Sequence, residues 1–279
     1  MSLVIRGKEF DFSSHKYCMG IINITPDSFF EGSRVKLDDL INVVSKMIQD
    51  EVDIIDIGGE STRPGSDPVH LEEELRRVIP AIREIRKNFP NIPISVDTYK
   101  SQVAKQAIEN GADIVNDISA GTFDQDMIRV IRDYNVPIIL MHIKGTPKSM
   151  QDNPEYKDVV REITEFLRER IEKFESFGVD PSKIIIDPGI GFGKKLEHNI
   201  SIIRRLAELK QLKKPILVGL SRKSIVGGIL NVPIEERLTG TIALNTVALM
   251  NGASIIRVHD VKEGKQTCKI VEVLYRGSL

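Results

Sequence analysis

The sequence lacks any charge imbalance that would draw it to a polyanion. Its 39 basic and 40 acidic side chains leave a net charge of -1, so no global field attracts nucleic acid or a membrane surface. No export is expected from its first residues, where Arg6, Lys8, Glu9 and Asp11 stand in place of the unbroken hydrophobic stretch that an export signal needs. The longest uncharged stretch, Leu238 to Ile256, carries Thr239, Gly240, Thr241, Asn245, Thr246, Asn251 and Gly252. It predicts a buried helix feeding a strand, not a bilayer span. Cysteine is scarce as well. Cys18 and Cys268 have no metal-ligand spacing, and free thiols in a reducing, cytoplasmic setting are expected.

What is present is a repeated unit. Eight short apolar runs end in a polar or ionisable residue: Gly20 to Asn23, Val52 to Asp56, Ile92 to Asp97, Asp113 to Asn116, Val136 to His142, Ile184 to Asp187, Pro215 to Ser221 and Ser254 to His259. They are rich in Ile and Val without strict alternation, as parallel strands covered on both faces should be. Helical patterns lie between them: Leu37 to Asp50, Leu71 to Asn88, Ser101 to Glu109, Asp124 to Tyr134, Glu155 to Phe177, Glu197 to Leu212, Glu235 to Met250 and Val261 to Tyr275. Gly111, Gly178 and Gly252 fall just past helix ends, and Pro93, Pro137 and Pro215 at strand starts. Eight strand-helix repeats in 279 residues predict a single-domain (β/α)8 TIM barrel. A doubly wound open sheet is the alternative. Val4, Ile5 and Phe10 to Phe12 predict a short N-terminal hairpin plugging the barrel bottom.

Barrels of this kind work at the C-terminal ends of their strands, so the polar run-ends converge in space. Three loops flank them, Asn23 to Phe30, Gly58 to Ser66 and Asp187 to Lys194, and the glycines of the last two let backbone approach a ligand or move as a lid. Gly219 to Ser224 brings Arg222, Lys223 and two hydroxyls to a strand end and a helix start, and Arg257 and His259 end the last run. Cations after the seventh and eighth strands predict an anion site, although Arg222 or Arg257 could instead pair with carboxylates. Asp97, Asn116 and Asp187, with Asp56, face that cationic side and suit a flat ligand edge that presents adjacent N–H groups. Asp56 could equally pair with a cation in the mouth. His142 is a candidate base or a structural histidine.

Read in order, IINITPDSF (Ile21 to Phe29), DIGGESTRPGS (Asp56 to Ser66), SVDT (Ser95 to Thr98), NDISAG (Asn116 to Gly121), MHIKGTPKSMQ (Met141 to Gln151), DPGIGFGK (Asp187 to Lys194), GLSRKS (Gly219 to Ser224) and RVHDV (Arg257 to Val261) resemble the dihydropteroate synthase family along the whole chain. The resemblance implies a (β/α)8 barrel that joins 4-aminobenzoate to 7,8-dihydropterin-6-ylmethyl diphosphate with Mg2+. It implies Asn23 as a Mg2+ ligand and Asp97, Asn116, Asp187 and Lys223 as pterin contacts. Met141 and Gly219 would line the ring slot, and Arg257 and His259 would hold the diphosphate. Thr62, Arg63, Pro64, Phe192 and Ser224 would form the aminobenzoate side. Asp27 would sit in a mobile loop over the site, and the family is usually a homodimer, for which the Leu238 to Met250 helix is a candidate surface. The catalytic set so implied is Asp97, Asp187, Lys223, Arg257 and His259. The loop after Ser28, Phe29-Phe30-Glu31-Gly32-Ser33, departs from the family pattern. A pterin-dependent methyltransferase and a non-catalytic pterin-binding homologue are the rival readings.

Overall fold

The computed structural model describes residues 2–24 and 34–276, apart from the side chains of 34–38 and 276. Strands β1 (Ser2–Ile5) and β2 (Lys8–Asp11) pair as an antiparallel hairpin. The parallel sheet comprises β3 (Tyr17–Asn23), β4 (Ile54–Gly58), β5 (Ile94–Asp97), β6 (Ile114–Asp117), β7 (Ile138–Met141), β8 (Ile184–Asp187), β9 (Leu217–Gly219) and β10 (Ile255–Val258). Its order is β8-β7-β6-β5-β4-β3-β10-β9, and a parallel bridge between Ile186 and Ile216 joins the two end strands. The sheet is therefore a closed barrel as expected; the open alternative would leave two unpaired edges. Pro93, Pro137 and Pro215 lack a donor, yet their carbonyls accept from Ile55, Val115 and Ile186 on the neighbouring strands.

Helices α1 (Arg34–Gln49), α2 (Leu71–Asn88), α3 (Ser101–Glu109), α4 (Met127–Tyr134) and α5 (Val159–Ser176) follow the first five barrel strands. Then come α6 (Leu196–Arg204), α7 (Ser224–Leu230), α8 (Leu238–Met250) and α9 (Val261–Arg276). Two expectations need correcting here. The segment Glu197 to Leu212 is not one helix: Arg205 leaves helical geometry at φ -108 and reaches both Asp158 and Glu208, after which residues 206–212 tighten into a 3-10 helix. The crossover after β9 carries an additional helix, α7, which Asn231 ends by adopting φ 53. None of the described helices is long and apolar enough to cross a membrane.

Alternation along the strands positions the site. Inside the barrel, Tyr17, Met19, Ile54, Ile114, Ile139, Ile185, Leu217 and Ile255 form one buried cluster with Leu3, Ile5, Phe10 and Phe12 of the hairpin, which plugs the bottom. Successive side chains on a strand point to opposite faces. Two residues beyond Ile54, Ile114, Ile139, Ile185, Leu217 and Ile255, on the same inward face, come Asp56, Asn116, Met141, Asp187, Gly219 and Arg257. Asp97 lies level with Asn116, Met141 with Asp187, and Gly219 with Arg257. The plugged, apolar floor thus carries one layer of ligand-capable side chains at the open end.

Candidate active site

Arg257 organises this layer. From β10 its Nε donates to Asp56 Oδ2 at 2.6 Å and its Nη2 to Asp97 Oδ2 at 2.7 Å, while Asn116 Nδ2 donates to the same Asp56 oxygen at 3.2 Å. Asp56 is fully buried and Asp97 is 9% exposed. Burial pushes the Asp97 carboxyl up from its usual range, against the pull of Arg257. Burial also works against the Arg257 charge, yet Asp56 and Asp97 more than offset it and hold that charge more firmly than usual. Asp56 therefore pairs with a cation in the mouth, one of the two readings open from the sequence. Its Oδ1 is buried and has no hydrogen-bond partner among the described residues.

Lys223 stands across the layer, just before α7. Its Nζ donates to Ile190 O at 2.6 Å and lies 4.7 Å from the centre of the Phe192 ring. Burial lowers its pKa to about 8, with Asp187 opposing. Gly219 leaves room beside it: a Cβ there would lie 3.6 Å from Lys223 Nζ and 3.9 Å from Arg257 Cβ. Asp187 is buried at the end of β8, where Oδ1 accepts from Gly189 N at 2.7 Å and desolvation raises its pKa. Met141 packs with Ile118, Ile143 and Met150, and Phe192 leans on that small apolar cluster.

The remaining expected residues lie on the rim. His259 Nδ1 is 3.0 Å from Ser221 Oγ, which also accepts from His259 N. Burial and then Arg257 depress its pKa to about 4, with Arg63 and Arg222 acting in the same direction. Thr62, Arg63 and Pro64 occupy a loop tied down by Gly65 N to Pro147 O and by Ser66 Oγ to Ser61 O and Arg63 O. Ser224 is exposed at the first position of α7. Arg222 does not present a free cation to an anion, because Asp260 takes its guanidinium through two bonds of 2.9 Å. Asp27 lies outside the described residues.

For the expected Mg2+, the donor chemistry fits. Among the described residues no group of three or more His, Cys, Asp or Glu side chains is placed to hold a metal. Asn23, at the end of β3, offers one neutral oxygen, and a Cβ at Gly58 would lie 3.7 Å from that Oδ1 and 3.8 Å from Asp97 Oδ2. A single protein oxygen on an open rim suits Mg2+, which retains waters and takes substrate phosphate oxygens in preference to an all-protein cage.

Several contributors were not legible as such in the sequence. Ser221 was visible only as one hydroxyl in a basic cluster, and its pairing with His259 depends on the adjacency of β9 and β10. Glu60 was unremarkable, yet its carboxylate accepts from Tyr99 Oη, Lys100 Nζ and Val69 N, and so joins both ends of the Thr62 loop to the segment between β5 and α3. His142 is buried against Lys194, with Nδ1 and Nζ 2.9 Å apart.

Residues 19–259 match the family model for pterin binding enzymes. A dihydropteroate synthase of Synechocystis sp. is 47% identical over 269 residues, which cover 96% of this chain and 93% of that protein. The solved Yersinia pestis dihydropteroate synthase, in complex with a sulfonamide drug, aligns with a TM-score of 0.92 at 40% identity and covers 100% of both chains. The Xanthomonas albilineans dihydropteroate synthase, solved with 4-aminobenzoic acid, gives 0.90 at 36% identity over 98% of each chain.

Proposed function

The chain belongs to the pterin-binding enzymes and, among them, to the dihydropteroate synthases, and from that membership we propose that it joins 4-aminobenzoate to 7,8-dihydropterin-6-ylmethyl diphosphate. The products are 7,8-dihydropteroate and diphosphate, on the route to folate. The observation that carries the reading is the polar layer itself: Arg257 held between Asp56 and Asp97, with Asn116, Asp187 and Lys223 around it. This layer offers carboxylate and amide acceptors to a pterin edge on one side and cations to a diphosphate on the other.

Asp97, Asn116 and Asp187 read the pterin edge, since a carboxylate accepts two parallel N–H bonds. Met141 and Gly219 form the slot for its ring, and Lys223 contacts it from above. Arg257 and His259 hold the diphosphate. Asn23 would hold Mg2+, which when bound neutralises charge on the leaving diphosphate. As the C–O bond breaks, its electron pair leaves with the diphosphate and positive charge develops on the pterin methylene. Asp97, fixed by Arg257, favours that charge. The amine nitrogen then forms the new C–N bond, its surplus proton passing to solvent. Thr62, Arg63, Pro64, Phe192 and Ser224 border the amine and exclude competing water.

The rival methyltransferase chemistry has no diphosphate to hold. His259 feels Arg257 and Arg63, positive charge at the end of β10 that suits a polyanionic leaving group. A homologue that had lost catalysis would be expected to have lost one of Asn23, Lys223, Arg257 or His259, and all four are in the chain. The barrel acts as a single domain in the cytoplasm, where buried Cys18 and Cys268 stay thiols. A second copy of the chain would cover the exposed apolar face of α8 and α9, completing a homodimer. Purified protein supplied with the pterin diphosphate, 4-aminobenzoate and Mg2+ should yield dihydropteroate; protein that binds both substrates without forming product overturns the reading.

A further inference from the structure

The loop from Asp187 to Lys194 is held in an unusual way. Four consecutive backbone carbonyls are each taken by a side chain: Ile190 O by Lys223 Nζ at 2.6 Å, Gly191 O by Gln151 Nε2 at 2.7 Å, Phe192 O by Lys194 Nζ at 2.8 Å and Gly193 O by Tyr156 Oη at 2.8 Å. The loop also lies directly on the segment that follows β7. A Cβ on Gly189 would come within 2.0 Å of His142 O, and one on Gly193 within 2.3 Å of Lys144 O. Both glycines have left-handed φ, 67 and 65 degrees, so they supply the contact and the turn together.

Lys194 is the buried member of this set, with 3% of its surface exposed. A lysine is rarely buried without a demand on its charge or its three donors. Here Nζ donates to Phe192 O and, at 3.2 Å, to His142 O, and lies 2.9 Å from His142 Nδ1. Burial lowers the Lys194 pKa well below its usual value; in the charged form its third proton goes to Nδ1, which accepts when the proton of the neutral imidazole sits on Nε2. Burial and the nearby Lys194 do keep His142 neutral, well below its usual pKa. The ring is fixed in turn by Phe166, edge-on at 4.9 Å. The residues that Lys194 joins are the end of β7 and the backbone of Phe192, whose ring lies under Lys223.

We propose that Lys194 and His142 are positioning residues for the amine substrate: their contact locks the carbonyl of Phe192 and so fixes the ring that borders the 4-aminobenzoate side. The inference rests on the placement of Phe192 proposed above. His142 thereby gains a role as the acceptor that orients a buried lysine, in place of a catalytic base. Of the pterin contacts, Asp97 and Asn116 stand on other strands, whereas Asp187 opens the clamped loop and Lys223 bonds to Ile190 O within it, so the pterin site feels the clamp less directly than Phe192 does.

Steady-state kinetics of Lys194→Met, His142→Asn and His142→Leu test it. In Lys194→Met, KM for 4-aminobenzoate should rise on the order of tenfold with kcat within about twofold, the signature of lost ground-state positioning, and the pterin diphosphate KM should rise clearly less than the amine KM. Asparagine can put its Oδ1 where Nδ1 lies, so His142→Asn should approach wild type, whereas His142→Leu should behave like Lys194→Met. A Lys194→Met enzyme that loses kcat and pterin affinity as much as amine affinity overturns the clamp. So does equal impairment of the two His142 variants, and that pair decides the matter if Lys194→Met does not fold. Wild-type protein without turnover would overturn the assigned reaction, and the amine role with it.

Discussion

A guanidinium fixed between two buried carboxylates makes Arg257 the residue on which the rim depends, and Asp56 the residue on which Arg257 depends. Removing one partner of a buried ion pair leaves the other charge uncompensated, typically at about 3–5 kcal/mol. Asp56→Ala should therefore lower kcat/KM for the pterin diphosphate by roughly a hundredfold or more, and thermal unfolding should show a stability loss as well; unchanged kinetics would show that Arg257 holds its position without Asp56. Lys223 gives the pH dependence. With its pKa lowered to about 8 by burial, it is charged below that pH and neutral above it. Whatever binding its charge supports should fade as pH rises through about 8, and a pH profile of Lys223→Arg should lack that alkaline limb, since arginine stays protonated. The polar ends of the apolar runs were legible one by one because each strand ends where its hydrophobic run ends. The pairings were not, because Asp56 and Arg257 are 201 positions apart and meet only once the barrel closes. Arg222 shows the same limit from the other side: its sequence neighbours suggested an anion, and only the fold brings Asp260 to it.

Elements were legible where local signals and tertiary packing agreed. Helices α2 and α3 begin and end where periodicity and flanking residues place them, and the glycines expected past the ends of α3, α5 and α8 all have positive φ. Agreement failed where the backbone left helical geometry inside a periodic run, as at Arg205 with φ -108, or where glycines diluted the pattern, as in α7 with Gly227 and Gly228. The start of α5 was misplaced by a few residues for a similar reason: Asp158 caps it, accepting from Val160 N and Arg161 N, both at 3.1 Å. Asp158 also pairs with Arg205, but that pair is more than a third exposed on both sides and adds little. Asp158→Ala should therefore cost about 1 kcal/mol, a cap's usual worth, visible as a Tm lower by a few degrees with unchanged KM values. A loss of activity without a Tm change would place Asp158 in a different role.

At the scale of the whole molecule, closure of the barrel, the hairpin plug and the alternation above it turn eight separate strand ends into one site. The outer surface carries its own signal. Val247 and Met250 on α8, and Ile270 and Leu274 on α9, are 44%, 42%, 60% and 65% exposed, large apolar side chains of the kind that the proposed homodimer would cover. Met250→Glu with Ile270→Glu should shift sedimentation from dimer to monomer, and a wild-type protein that sediments as a monomer would remove the homodimer from the account. The proposed reaction is tested by a time course that counts diphosphate and 7,8-dihydropteroate together, with and without 4-aminobenzoate. Equal amounts of the two products and diphosphate release that requires the amine are expected; diphosphate released just as fast in its absence, or no release at all, would rule the reaction out.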